Sequence, residues 1–220
     1  MIYATMCVGE WWCKKYSEQI NSFSKLNKIH ILTDLPKYFK ECEVYEYTRN
    51  DFSYYEKINH VIRLSEIYKT RITYIDADWV SLIDTDILYD DNSWYCYNVF
   101  DLNSDIIQKY FTKENIKDIK KILSIIGLNE IGNRYVPEAI ISIPYFENLK
   151  EIKKDINLLQ TPLENMYNNI PQRSELKRYT ENGVGYGEGW CLTAIIEKYK
   201  LKTNTFLDTK NKTWRKIGLI

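Results

Sequence analysis

The feature that most constrains the fold is an alternation of short apolar runs with amphipathic segments between residues 1 and 80. The apolar runs are rich in Ile, Val and Tyr, which favour strands. The segments between them repeat apolar residues at helical spacing, as Trp12, Tyr16, Ile20 and Phe23 do. This pattern predicts strands at Ile2–Val8, Lys28–Thr33, Glu43–Tyr47 and Arg71–Ile75, with helices at Glu10–Leu26 and Tyr54–Tyr68. Strands separated by helices predict an α/β fold with a mixed, mostly parallel sheet flanked by helices.

The pattern is looser after residue 80. We expect strands at Trp94–Phe100, Tyr135–Pro144 and Thr203–Leu207, and helices at Ile116–Ile126, Lys150–Leu159 and Trp190–Tyr199. Gly127 follows the first of these helices and is a typical helix stop. A chain of 220 residues fits one domain, so we expect a single domain over residues 1–220.

Composition excludes several classes of protein. The 30 basic and 30 acidic residues balance, which argues against a dedicated nucleic-acid binder. No apolar run reaches membrane-spanning length and the N-terminus lacks a signal-peptide pattern, so we expect no transmembrane segment. Five scattered cysteines without a Cys-x-x-Cys pair, and only two histidines, argue against structural zinc and a disulfide framework. These features favour a reducing, cytoplasmic location.

The most informative motif is Ile72-Thr-Tyr-Ile-Asp76-Ala-Asp78-Trp79. An apolar strand that stops on Asp-x-Asp places two carboxylates at one edge of the sheet. Carboxylate oxygens suit Mn²⁺ or Mg²⁺, which keep positions open for phosphate oxygens. The motif therefore predicts metal-assisted group transfer from a diphosphate-activated donor, with Asp76 and Asp78 as metal ligands.

Two further strand ends are expected beside this motif. The first strand ends at Thr5-Met6-Cys7 and the second at Thr33-Asp34. Ligands of open α/β sheets bind beyond the carboxyl ends of parallel strands, so these residues are expected to share one edge with Asp76. Ala77 is small and would let a ligand approach the backbone.

The Asp pair has other interpretations. A solvated turn at the strand end, or an N-cap for a following helix, uses the same residues. A second pair, Asp84-Thr85-Asp86, lies in a run of acidic turns and competes as the metal site.

Taken together, four segments resemble nucleotide-sugar glycosyltransferases of the GT-A fold, in particular glycosyltransferase families 6 and 8. The segments are Ile2-Tyr-Ala-Thr5, His30-Ile-Leu-Thr33-Asp34, Tyr55-Glu-Lys57-Ile58 and Tyr74-Ile-Asp76-Ala-Asp78. The resemblance covers residues 1–80 well, is weaker around 185–199 and in the tail, and is faint over 80–180. It implies a Rossmann-like GT-A domain in which 1–80 bind the nucleotide. Residues 81–220 would then form the acceptor half and a C-terminal closing segment.

The resemblance also implies roles for individual residues. Asp76 would approach the ribose and a metal-bound water, Asp78 would ligate Mn²⁺ directly, and Lys57 would approach the nucleotide or the donor sugar. Further contacts to the base, ribose and diphosphate of the donor are expected from Thr5, Met6, Asp34, Tyr55 and Ala77.

The C-terminal tail, Lys210-Asn-Lys212-Thr-Trp214-Arg215-Lys216, concentrates four cations around an aromatic ring. Such a segment can neutralise a diphosphate leaving group and cover it from water. We therefore expect Lys212, Trp214, Arg215 and Lys216 to contact the donor; a solvated, frayed terminus is the alternative. The tail lacks the metal-binding His of family 8, so water or phosphate would fill that position.

Glu188 lies in a glycine-rich segment, Gly185-Tyr-Gly187-Glu188-Gly189-Trp190. The resemblance implies an acidic residue here near the anomeric carbon, in enzymes that retain its configuration. The alternative is a helix-start Glu favoured by the helix dipole.

The expected activity is transfer of a sugar from a nucleoside diphosphate sugar, such as a UDP-sugar, to an acceptor hydroxyl. Two alternatives stay open: a nucleotidyltransferase that uses a nucleoside triphosphate, and a nucleotide-sugar-binding protein without catalysis. A glycan, a protein, a lipid headgroup and a modified DNA base are all compatible acceptors.

Overall fold

The computed structural model describes residues 2–48, 53–82, 92–96, 99–104, 113–136, 140–146, 149–169 and 188–205. Within these ranges the strands are β1 Ile2–Met6, β2 Ile29–Thr33, β3 Glu43–Glu46, β4 Ile72–Ile75, β5 Trp94–Cys96, β6 Phe100–Asp101, β7 Arg134–Tyr135, β8 Ile140–Ile143 and β9 Thr203–Thr205. The α-helices are α1 Glu10–Ser24, α2 Tyr55–Tyr68, α3 Lys113–Leu123, α4 Leu149–Asn169 and α5 Glu188–Lys198. Shorter 3-10 segments are Pro36–Tyr38, Ala77–Leu82 and Ser124–Ile126.

Seven strands form one sheet in the order β3-β2-β1-β4-β8-β5-β9. Strands β3, β2, β1 and β4 are parallel neighbours, and β5 pairs with β9 in parallel. Only β8 runs antiparallel to its neighbours within this described sheet, pairing with β4 and with β5. The predicted α/β fold with a mixed, mostly parallel sheet is confirmed.

The chain order places a topological switch between β1 and β4. After β1 the chain proceeds outward to β2 and β3, then returns to add β4 on the other side of β1. Crossovers in opposite directions place their helices on opposite faces of the sheet, and ligands of such sheets bind at this switch.

Side chains of β1 alternate between two cores, as expected for a strand covered on both faces. Ala4 and Met6 join the core under α2, α4 and α5, whereas Tyr3 and Cys7 join the core under α1. Lys57 lies on α2, which packs on the same face of the sheet as Ala4 and Met6. The end of β4 is therefore enclosed by helices on both sides.

Several predicted boundaries are wrong. The strand expected at Tyr135–Pro144 is two strands: β7 pairs with β6 in a small second sheet, and β8 enters the main sheet. The strand expected at Trp94–Phe100 is divided in the same way, into β5 and β6. The helix expected to stop at Leu159 runs to Asn169 through Pro162, because Leu159 and Leu163 are both fully buried and tertiary packing outweighs the breaker.

The other boundaries differ by a few residues. Gly127 ends the α3 region with φ 80°, the left-handed conformation that a glycine stop provides. All five cysteines are free thiols. No helix in the described ranges has the length and apolar character needed to cross a membrane.

Candidate functional site at the carboxyl end of β4

A buried ion triad of Lys57, Asp76 and Glu188 lies beyond the carboxyl end of β4. Lys57 Nζ is 3.2 Å from Asp76 Oδ1 and 3.3 Å from Glu188 Oε1. The side chains of Lys57 and Glu188 are 4% and 2% exposed, whereas that of Asp76 is 22% exposed. One ammonium thus joins a carboxylate at the surface of the site to a carboxylate beneath it.

Tyr74 is a further member of the site that the sequence did not identify. Its hydroxyl donates a hydrogen bond to Asp76 Oδ1 at 2.8 Å. Burial, followed by the Asp76 carboxylate, raises the pKa of Tyr74 well above its usual range. The signal was present in the sequence, since residues two apart on a strand point to the same face.

Lys57 is held in place from several sides. The rings of Tyr54 and Tyr74 have their centroids 5.1 and 5.6 Å from Nζ, a cation–π geometry. The start of α2 is fixed by Ser53, whose hydroxyl donates to Glu164 on α4 and whose amide donates to the Tyr47 hydroxyl at 2.8 Å. Lys57 therefore projects from an anchored helical turn.

Glu188 is positioned by a helix that is buried on every side. Each residue from Glu188 to Ile196 is buried, which is typical of a helix in the middle of a domain. The Thr193 hydroxyl donates to the Gly189 carbonyl at 2.8 Å and accepts from the Val136 amide at 2.9 Å, joining α5 to the end of β7. The first turn of a helix also favours an acidic side chain.

Gly189 lets α5 approach β7 closely. A Cβ built on Gly189 would overlap the hydroxyl and ring of Tyr135, with Cζ only 2.7 Å away. Gly189 is therefore required for the packing of α5 against Tyr135. The sequence alone could not distinguish this role from close approach of the backbone to a sugar. Gly183, Gly185 and Gly187 lie outside the described residues.

The motif Asp76-Ala77-Asp78 turns sharply out of β4 into a 3-10 segment. The Trp79 amide donates to the Asp76 carbonyl at 2.8 Å, and Gln19 of α1 donates to the Ala77 carbonyl at 2.6 Å. Asp78 lies half-buried in the first turn of this segment. The helices on both faces of the sheet thus hold the motif, α1 through Gln19 and α2 through Lys57.

The other strand ends lie at the predicted edge. Parallel pairing of Met6 with Leu32, and of Ala4 with Tyr74, aligns the ends of β1, β2 and β4. Asp34 is exposed there, and its Oδ1 accepts a hydrogen bond from the Gly9 amide at 2.9 Å. Asp34 thereby anchors the loop that connects β1 to α1.

Some predicted donor contacts lie below the surface of the site. Thr5 is fully buried, and its hydroxyl has no hydrogen-bond partner within the described residues. Tyr55 is 1% exposed in the core, and burial raises its pKa well above the usual range. Met6 is also buried, at 8% exposure. In this structure all three support the site from beneath, and their contacts with a nucleotide stay predictions.

Other predicted positions fall outside the described residues. These are the competing pair Asp84 and Asp86 and the tail residues Lys212, Trp214, Arg215 and Lys216.

No protein-family model and no curated protein matches this sequence.

The donor atoms at the site suit a hard divalent cation that shares its coordination with a ligand. Asp76 and Asp78 offer carboxylate oxygens at the edge of the sheet, and Asp76 is partly exposed. Within the described part of the chain, no group of three or more His, Cys, Asp or Glu side chains could hold a metal. A cation held by Asp76 and Asp78 would need further oxygens from water or from a bound ligand.

Proposed function

We propose that the protein is a metal-dependent glycosyltransferase of the GT-A type. It transfers a sugar from a nucleoside diphosphate sugar, a UDP-sugar, to an acceptor hydroxyl. The observation that carries the proposal is the position of Asp76. It follows β4 at the β1–β4 switch, which is where open α/β sheets bind ligands. Its carboxylate shares the ammonium of Lys57 with Glu188.

The arrangement suits a reaction in which negative charge develops on a leaving diphosphate. Asp76 and Asp78 would hold Mn²⁺ or Mg²⁺, which supplies Lewis-acid stabilisation of that charge when bound. Lys57 is a second cation on the same edge, fixed by Glu188 and two tyrosine rings. Preorganised cations stabilise developing charge without the cost of reorganising solvent.

Glu188 has two proposed roles, and the second requires its carboxylate, which is 2% exposed, to become accessible to the sugar. Its contact with Lys57 makes it a positioning residue for the cation. The resemblance of residues 185–190 to enzymes that retain anomeric configuration supports a role for the same carboxylate near the anomeric carbon. Retention is therefore part of the proposal.

The test compares Asp78→Asn with the native protein in Mn²⁺-dependent hydrolysis and transfer of UDP-sugars. We expect the variant to lose at least about a hundredfold in rate while its circular dichroism is unchanged, since one donor to the metal is weakened. Asp118→Asn is the matched control, because Asp118 lies on the exposed face of α3 and is 56% exposed. Full activity of Asp78→Asn would refute the assignment.

Thermal-shift measurements separate the donor classes. UDP-sugars with Mn²⁺ are expected to raise the melting temperature more than nucleoside triphosphates at the same concentration, because ligand stabilisation grows with the logarithm of the ligand concentration divided by Kd. The reverse order would favour a nucleotidyltransferase.

A further inference from the structure

The ammonium of Lys57 lies between two carboxylates that differ in their surroundings. Glu188 is 2% exposed and Asp76 is 22% exposed, at nearly equal distances of 3.3 and 3.2 Å from Nζ. Loss of the counter-ion costs more free energy for a carboxylate that is buried away from water than for one that water can solvate. The contact with Glu188 is therefore the permanent one, and the contact with Asp76 is the one that can be exchanged.

Asp76 keeps a second stabilising contact when Lys57 moves away. The Tyr74 hydroxyl donates to the same oxygen, Oδ1, at 2.8 Å. The carboxylate thus stays oriented without the ammonium. Lysine also suits this task, since its flexible stem lets the charge move between nearby partners.

We propose that Lys57 is an exchangeable counter-ion for the metal site. Without a divalent cation it neutralises both Asp76 and Glu188; when a divalent cation binds at Asp76 and Asp78, Lys57 withdraws from Asp76 and pairs with Glu188 alone. This inference rests on the metal site of the proposed function and adds a regulation of that site. Lys57 then opposes metal binding, and Glu188 favours it by holding Lys57 away.

The proposal predicts opposite effects for the two partners of one ion pair. Lys57→Met is expected to tighten Mn²⁺ binding about tenfold or more, because a cation beside the site is removed. Glu188→Gln is expected to weaken Mn²⁺ binding several-fold, because Lys57 then pairs with Asp76 alone. The double variant is expected to bind Mn²⁺ like Lys57→Met, within about threefold, since the residue through which Glu188 acts is gone.

The experiment measures Mn²⁺ dissociation constants by electron paramagnetic resonance of free Mn²⁺, for the native protein and the three variants, without nucleotide. Circular dichroism establishes that each variant is folded. If Lys57→Met alone does not fold, the double variant carries the test, because it leaves no buried carboxylate unpaired at Glu188; it must bind Mn²⁺ more tightly than Glu188→Gln.

Two results would overturn the proposal while leaving the metal site intact. One is that the native protein binds Mn²⁺, and that the folded Lys57→Met variant or the double variant binds it with equal or lower affinity. The other is an equal loss of Mn²⁺ affinity on Glu188→Gln with and without Lys57, which would show that Glu188 acts on the metal without Lys57, as a ligand or through its charge. Absence of Mn²⁺ binding without nucleotide in every variant would overturn the exchange, and its absence also after addition of UDP would overturn the proposed metal site as well.

Discussion

Lys57 Nζ lies 3.3 Å from Glu188 Oε1, although the two residues come from helices far apart in the chain. Lys57 belongs to the first turn of α2 and Glu188 to the first turn of α5. The contact joins the N-terminal part of the chain, which carries Asp76, to the helix that begins at Glu188. Because both side chains are buried, removal of one of them alone would leave the other charge without its counter-ion.

Removal of Lys57 alone should destabilise the fold strongly. Lys57→Met leaves Glu188 buried without its cation, and we expect the free energy of unfolding to fall by about 3 kcal/mol. Lys57→Met with Glu188→Met should recover most of this loss, because no unpaired charge remains there. Urea unfolding followed by tryptophan fluorescence measures both.

The control is Lys121→Met. Lys121 pairs with Asp118 at 2.9 Å on the surface, where both side chains are more than half exposed. Its loss should change stability by less than about 0.5 kcal/mol. A Lys57→Met effect no larger than this control would show that the buried ion triad contributes little.

Asp34 should act through its acceptor oxygen. Asp34→Ala removes the hydrogen bond from the Gly9 amide and should lower stability by about 1 kcal/mol, whereas Asp34→Asn retains an acceptor and should lie near the native value. Thermal unfolding distinguishes them. If both variants lose UDP affinity with unchanged stability, Asp34 serves the ligand and does not anchor the loop.

Gly189 should not tolerate a methyl group. Gly189→Ala forces Tyr135 away from α5 and should cost about 1–3 kcal/mol in the free energy of unfolding. Gly132→Ala is the matched control: the atoms nearest its Cβ belong to the end of the Glu197 side chain, with Oε1 at 3.3 Å, and not to a buried ring. Equal denaturation midpoints for the two variants would contradict the packing role of Gly189.

His60 should make the protein sensitive to acid. Burial lowers its pKa from 6.5 to about 4. The folded state therefore favours the neutral ring, and its contribution to stability is complete above about pH 6.5 and is lost as the pH falls towards 4. The size of this contribution is about 3 kcal/mol.

The measurement is urea unfolding at several pH values between 7 and 4. His60→Gln keeps a donor for the His30 carbonyl, which lies 3.3 Å from His60 Nε2, and should flatten the curve. Some pH dependence should persist, since burial also lowers the pKa of His30. An unchanged slope in His60→Gln would assign the acid sensitivity to other groups.

Much of the fold could be predicted because its signals are local. The four strands and two helices before residue 80 follow from apolar periodicity, and their predicted parallel arrangement is confirmed. Asp34 and Asp76 reach one edge for the same reason, since parallel strands end on the same side.

The remainder depended on contacts that local patterns do not encode. Residues 94–100 and 134–144 each look like one strand-forming segment in the sequence, yet each segment supplies strands to two different sheets. Pro162 is a breaker locally, but the burial of Leu159 and Leu163 keeps α4 helical. Propensity is a weak term compared with burial of a whole helix face.

The sequence by itself determined which functional groups lie at the end of β4: two aspartates that follow a buried strand, with the small residue Ala77 between them. Only the tertiary structure decided what surrounds them. It brings Lys57 and Glu188 together with Asp76, gives the three side chains unequal access to water, and adds the Tyr74 hydroxyl. The reason is that the spacing of residues along a strand is fixed by local geometry, whereas the pairing of charges from separate helices depends on how those helices pack across the sheet.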